Sequence, residues 1–312
     1  PNAVTEAVKM RILDLITAGM AGYQIGTFRP LLALVGGAPE ATMWGTGVQC
    51  STRDAAMLNS FLAHASYLDD GSRFTGGHPS SVVTPSVMAL GERLCADGRS
   101  IITAVAVGYE IFLRLGRALY PSIVVRGFQS TAVLGAVSSA GACASLLGLD
   151  PNASKNALAI ACNLGVGLKE ALKCSESQPI QVARSCEAGL MSALLAREGA
   201  AGADSIIEGG LLKAFADEVQ KEQICDGLGS SYRIFETYIK VHGGCRGNHA
   251  PVDVINDVIA RHQIKPNEIE SIRIKVDSVT LAAEIHDPKN GNQAQFSIPF
   301  AVAVALVDGN AS

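Results

Sequence analysis

The stretch GFQSTAVLGAVSSAGACASLLGL, residues 127–149, carries no charged side chain. A run of this length either crosses a bilayer or lies at the centre of a helical assembly. Its composition decides between them. It is full of Ser, Thr, Gly and Ala and has few large apolar residues, so it reads as a buried central helix rather than a membrane span. The whole chain follows the same rule: 48% of its 312 residues are hydrophobic but only 5% are aromatic. Such a core is built by close helix–helix packing on alanine and glycine.

The sequence around that centre reads as helix after helix. Apolar residues recur at helical spacing in TEAVKMRILDLITAGMAG (5–22), RDAAMLNSFLAHAS (53–66) and SVVTPSVMALGERLCADG (81–98). The same spacing runs through 100–119, with Ser100 as a candidate N-cap, and through 151–165, where Pro151 and Asn152 mark a start. QVARSCEAGLMSALLAREG (181–199) is a further helix closed by glycine. The character changes near Tyr232. FETYIKVHGGCRGNH (235–249) is strand-like and then glycine-rich, 250–264 is helical, and IESIRIKVDSVT (269–280) alternates as a strand should. Ile272, Ile274 and Val276 would share one face of it. An apolar helix follows in AQFSIPFAVAVALVDG (294–309). The expected fold is mainly α, with a large all-helical domain over 1–232 and a smaller α/β domain over 233–312. The second domain has no obvious finishing element and is expected to be incomplete.

A net charge of −4 comes with no basic stripe, which argues against a nucleic-acid partner. The eight cysteines are scattered without a CxxC pair, so they read as reduced thiols in a cytoplasmic protein. No signal peptide is visible, and since the chain begins at Pro1 the sequence is silent about anything upstream.

Two stretches concentrate chemistry. YLDDGSRFTGGHPSS (67–81) interrupts the helices with Asp69, Asp70 and His78 among glycines. A carboxylate and a histidine are the usual equipment for proton transfer at neutral pH; the structural alternative is that an aspartate caps the next helix and His78 merely bonds to the loop. The second stretch, KVHGGCRGNH, packs Lys240, His242, Cys245, Arg246, Asn248 and His249 into ten residues. Its His-x2-Cys-x3-His spacing could suit zinc, but an arginine between ligands is electrostatically awkward. An anion site fits better, with glycine N–H groups and the Arg246 fork facing a carboxylate; a polar turn capped by Asn248 is the plain alternative. There is no GKS/T phosphate loop and no GxSxG elbow.

Taken in order, LNSFLAHASYLDDG…GGHPSSVVTPSVMAL, the uncharged helix, ARSCEAGLMSALLAREG with IIEGG, IKVHGGCRGNHAPVDVI and QAQFSIPFAVAVAL resemble the MmgE/PrpD family over nearly the whole chain. The resemblance implies a helical domain and an α/β lid domain with the site between them, a homodimer, and cofactor-free chemistry without a metal. It implies a small di- or tricarboxylic acid as substrate and proton transfer next to a carboxylate. Known members include 2-methylcitrate dehydratase, cis-aconitate decarboxylase and iminodisuccinate epimerase, and family chains continue beyond the equivalent of Ser312.

Carried over residue by residue, the resemblance puts His78 on the family's site histidine and Asp69 and Asp70 on its paired aspartates. Tyr67 stands where decarboxylase-type members have Asp, and Gly71 where they have Thr. Gln129 replaces a histidine, Gln178 the lysine of a KPxH motif, and Gln181 that motif's histidine. His242 falls near a family tyrosine. The resulting expectation is an acid–base pair of His78 with His242 or His249, assisted by Asp69 and Asp70. Arg246, His249, Lys240 and Tyr67 would line the substrate, and Gln129 and Gln178 would serve as neutral hydrogen-bond donors to it. The reaction is expected to be dehydratase-like, with epimerisation, decarboxylation or non-catalytic metabolite binding as alternatives.

Overall fold

The computed structural model describes residues 1–174 and 176–309. It divides into two compact units, one formed by 1–171 with 176–239, the other by 172–175 with 240–312. The fold is mainly α, as the periodicity predicts.

In the first unit the helices are α1 (Asn2–Ile25), α2 (Thr52–Ala65), α3 (Ser80–Leu94), α4 (Gly98–Leu119), α5 (Ser130–Leu146), α6 (Pro151–Ala161) and α7 (Ser177–Arg197). Helix α5 is the uncharged stretch, and every residue from Ser130 to Ala144 is buried. It packs against α3, α4, α6 and α7, so its small side chains meet neighbours on all sides. None of the described helices is long and apolar enough to cross a membrane. The glycines set the distances: a Cβ on Gly22 of α1 would lie 1.8 Å from the Leu62 carbonyl oxygen of α2, and one on Gly189 of α7 would lie 2.5 Å from that of Ala136 in α5.

Caps fix the helix starts. Ser51 accepts a hydrogen bond from the Asp54 N–H at 3.2 Å to begin α2. Pro151 opens α6 behind an Asp150 cap. Ser100 does not cap α4. Asp97 does, its carboxylate accepting from the Ser100 N–H at 2.8 Å, because a carboxylate is the stronger acceptor and sits three residues earlier, where the first free amides point. Strand structure in this unit is a two-residue antiparallel ladder, β1 (Ala41–Thr42) with β2 (Gln49–Cys50). The strand-like residues after Tyr232 instead form a 3-10 turn, Arg233–Glu236, and a single bridge from Tyr238 to Gly71.

In the second unit α8 (Arg246–His262) packs on α9 (Ile298–Asp308) around Val252, Ala301 and Ala305. Asn248 lies inside α8 and donates to the Gln295 carbonyl at 3.0 Å rather than capping the helix. The alternating residues 272–276 form no strand ladder. Alternation is the pattern of a half-buried strand, but a ladder also needs a neighbour within hydrogen-bonding distance. Among the described residues of this unit there is none. Ile272, Ile274 and Val276 border two cavities instead, of about 580 and 370 Å³.

Candidate active site

The loop that joins α2 to α3 is held in shape by buried polar bonds. Tyr67 leaves α2 with φ at +52°, a left-handed conformation that a bulky side chain seldom adopts. It is buried, with its ring centroid 5.3 Å from that of His64. Two residues after Asp69, Gly71 pairs with Tyr238 through backbone bonds of 3.1 and 2.9 Å. A Cβ there would lie 2.6 Å from the Tyr238 hydroxyl, so the bridge requires glycine.

Asp70 is completely buried. Its Oδ1 accepts from the Ser80 N–H at 3.1 Å and the Ser80 hydroxyl at 2.6 Å, at the start of α3. Its Oδ2 accepts from the Tyr109 hydroxyl at 2.8 Å, with Arg11 Nε of α1 at 3.7 Å. Burial pushes the Asp70 carboxyl above its ordinary range, and the bonds from Ser80 and Tyr109, with the charge of Arg11, work against that. Arg11 is itself anchored on Thr237, donating to its hydroxyl at 2.9 Å and its carbonyl at 3.0 Å. The Asp70 side chain therefore ties three helices to the loop.

Asp69 makes a different connection. Its Oδ2 accepts from the Ser81 hydroxyl and from His64 Nδ1, the latter at 2.6 Å. The other ring nitrogen, His64 Nε2, lies 2.6 Å from the side-chain nitrogen of Gln178 in α7. His64 and Asp69 are fully buried and Gln178 is 1% exposed. The sequence reading passed over His64. Its signal was there: a lone histidine in the last turn of an apolar helix, five residues before an aspartate.

His78 is the accessible member of the cluster. Its side chain is 20% exposed, its ring lies 5.3 Å from that of His64, and Asp69 Oδ2 is 3.7 Å away. Nδ1 lies 2.5 Å from the backbone carbonyl of Asp70. A carbonyl can only accept, so Nδ1 carries the proton and Nε2 of the neutral ring keeps its lone pair. The His78 N–H donates to the Thr131 hydroxyl at 3.0 Å, which joins the loop to the first turn of α5. At that turn Gln129 is the N-cap, accepting from the Ala132 N–H at 2.6 Å through its side-chain oxygen and leaving its NH2 group as a donor. Gln178 departs from the expectation: its NH2 group is turned to His64. Gln181 is structural, bonding both the N–H and the carbonyl of Leu168.

The remaining expected residues form a second cluster, in the second unit. Lys240 and His249 are buried, Arg246 is the first residue of α8, and the His242 and His249 rings are 5.2 Å apart. His242 Nε2 lies 2.7 Å from Asp253 Oδ1. Nε2 of His249 meets no hydrogen-bond partner. Burial, with the positive charges of Lys240, Arg246 and His242 around it, pushes His249 down to about 4. His249 is thus neutral at neutral pH and is no proton donor there. Among the described residues no group of three or more His, Cys, Asp or Glu side chains could hold a metal ion.

Residues 1–223 match the MmgE/PrpD N-terminal domain, and residues 242–312 match the MmgE/PrpD C-terminal domain. The chain belongs to the MmgE/PrpD family. Similar proteins include a cis-aconitate decarboxylase of Aspergillus terreus, 30% identical over 99% of this chain and 68% of its own length. A cis-aconitate decarboxylase-like protein of Aspergillus oryzae is 26% identical over 99% of this chain and 70% of its own, and a human cis-aconitate decarboxylase is 24% identical over 99% and 67%. In this MmgE/PrpD chain the loop histidine is partly exposed while Asp69 and Asp70 are buried.

Proposed function

We propose that this chain is a lyase-type enzyme that moves a proton at a carbon next to a carboxylate of a small di- or tricarboxylic acid, with no cofactor. The observation that carries the reading is the bond from His78 Nδ1 to the Asp70 carbonyl, which leaves Nε2 as a base beside a buried His64–Asp69 pair. In a dehydration, His78 takes the proton from the carbon beside the carboxylate, the carbon–oxygen bond of the adjacent hydroxyl breaks, and His78 passes that proton to the departing hydroxide, which leaves as water. In a decarboxylation, His78 Nε2 first takes a proton from solvent, the carbon–carboxylate bond breaks to release carbon dioxide, and His78 gives that proton to the carbanion. The names of the relatives make decarboxylation of cis-aconitate the first reaction to assay and 2-methylcitrate dehydration the second.

In the second unit, Lys240 and Arg246 both act as positive charges on His249, a setting suited to a carboxylate. No disulfide joins the cysteines among the described residues, which supports a reducing, cytoplasmic setting. Met10, Leu13 and Met20 are exposed along α1, which supports self-association as a homodimer.

The test is to incubate the protein in D2O with cis-aconitate, 2-methylcitrate and iminodisuccinate and to follow each by proton NMR. Turnover or α-deuteration of one of them is expected, with its loss in His78→Ala. Full activity in that variant removes His78 from the reaction.

A further inference from the structure

We infer that Thr237 and Tyr238 are positioning residues for His78, and that they set the orientation of its ring through the peptide group between Asp70 and Gly71. This rests on the reading of His78 as the base and adds what holds that base in place.

One peptide group carries the argument. Its oxygen, the Asp70 carbonyl, lies 2.5 Å from His78 Nδ1. Its N–H, on Gly71, donates to the Tyr238 carbonyl at 3.1 Å, and the Tyr238 N–H returns a bond of 2.9 Å to the Gly71 carbonyl. The bonds therefore run in one line, from the Tyr238 carbonyl through the peptide group to the imidazole. Bonds in such a line polarise and strengthen one another. A carbonyl only accepts, so Nδ1 carries a hydrogen whether the ring is neutral or charged. In a neutral imidazole the bond made at one nitrogen decides which nitrogen keeps its lone pair. The peptide group thus makes Nε2 the open one, and the two bonds to Tyr238 hold the peptide group. Asp69 Oδ2, at 3.7 Å from Nδ1, is too far to do the same.

The Tyr238 backbone is anchored in turn. Thr237 beside it is buried and accepts two bonds from Arg11, at 2.9 Å on its hydroxyl and 3.0 Å on its carbonyl. The same hydroxyl donates to the Ile234 carbonyl at 2.7 Å. The Tyr238 ring lies directly against Gly71, where a Cβ would stand 2.6 Å from the hydroxyl and 2.8 Å from Cζ. The second unit begins at Lys240, so the segment that holds the base is the last of the first unit.

Nitrogen-15 NMR of the ring nitrogens, with the His78 signals identified by their loss in His78→Gln, reads the tautomer without a substrate. At a pH where the ring is neutral, the wild-type chain should carry the proton on Nδ1. Thr237→Val keeps the shape of the side chain and removes the hydroxyl that Arg11 holds. In it the ratio of Nδ1–H to Nε2–H should fall by about two- to tenfold, the worth of one hydrogen bond. Gly71→Ala, whose methyl displaces the tyrosine ring, should lower the ratio likewise, and adding Tyr238→Ala to it should restore the ratio. Circular dichroism shows which variants keep their helices, and the Gly71 pair decides if Thr237→Val does not fold. An unchanged ratio in a folded variant, or no recovery in the double variant, overturns the inference and leaves the proposed function standing. A wild-type ring protonated on Nε2 overturns the reading of Nε2 as the base, and the inference with it.

Discussion

His64 Nδ1 and Asp69 Oδ2 lie 2.6 Å apart with both side chains fully buried. Neither group could be left there alone, because an unpaired polar or charged side chain out of water is strongly destabilising. The pair joins α2 to the loop that carries His78, and Gln178 joins it to α7. The loop's position is thus set by polar bonds as well as by apolar packing.

Removing one partner of that pair should be costly. His64→Ala should lower unfolding stability by about 3–5 kcal/mol, since it leaves Asp69 buried without its main partner. Urea denaturation of the variant beside the wild type measures this. A loss under about 1 kcal/mol would mean that water or a neighbour replaces the ring.

Tyr109→Phe isolates one bond to Asp70. It keeps the ring that fills the core and deletes the donor at 2.8 Å. The expected loss is about 1–3 kcal/mol, because the carboxylate stays buried. An unchanged midpoint in chemical denaturation would show that Ser80 and Arg11 suffice.

His78→Gln should keep the fold and lose turnover. The side chain is partly exposed, so little packing is removed, while a general base contributes roughly 10²–10⁴ in rate. Circular dichroism and the NMR assay together read both halves of the prediction. A variant that is folded and fully active would contradict it.

Stability of the second unit should depend on pH through His249. Its folded value is pushed down to about 4 from an ordinary 6.5. Between those values the unfolded chain binds a proton that the folded chain does not, so stability is present above pH 6.5 and is lost as pH falls towards 4. The groups that face His249 are Lys240, Arg246 and His242, with Asp253 opposing them. Hydrogen exchange of α8 at pH 7 and pH 4.5 should show faster opening at the lower pH, and His249→Phe should flatten the difference. Identical pH dependence in the variant would assign the effect to another group.

The helices were legible because apolar residues recur at a 3.6-residue spacing, and α2, α4, α5, α6 and α9 also carry a capping side chain at their start. Where two caps compete, as Asp97 and Ser100 do at α4, spacing alone does not choose; the geometry of the first free amides does. The alternating residues 272–276 show the limit of the period-two signal, which describes a face and says nothing of a hydrogen-bonded neighbour. The loop was legible as a site because acid, histidine and glycine interrupt apolar sequence. Which aspartate does what was not legible, since adjacent side chains point in different directions once the backbone is fixed. Arg11 and Tyr109 reach Asp70 and Gln178 reaches His64 from three separate helices, and only tertiary structure brings such distant positions together.

Asp70 touches His78 through its backbone oxygen and the rest of the fold through its side chain. The atom that orients the histidine is therefore one that every amino acid possesses, while the atoms that make this position intolerant of change belong to folding. A mutational screen scored on activity alone would rank Asp70 beside His78. A screen that also counts how much protein survives in the cell would part them, with Asp70 variants losing abundance and His78 variants losing only turnover.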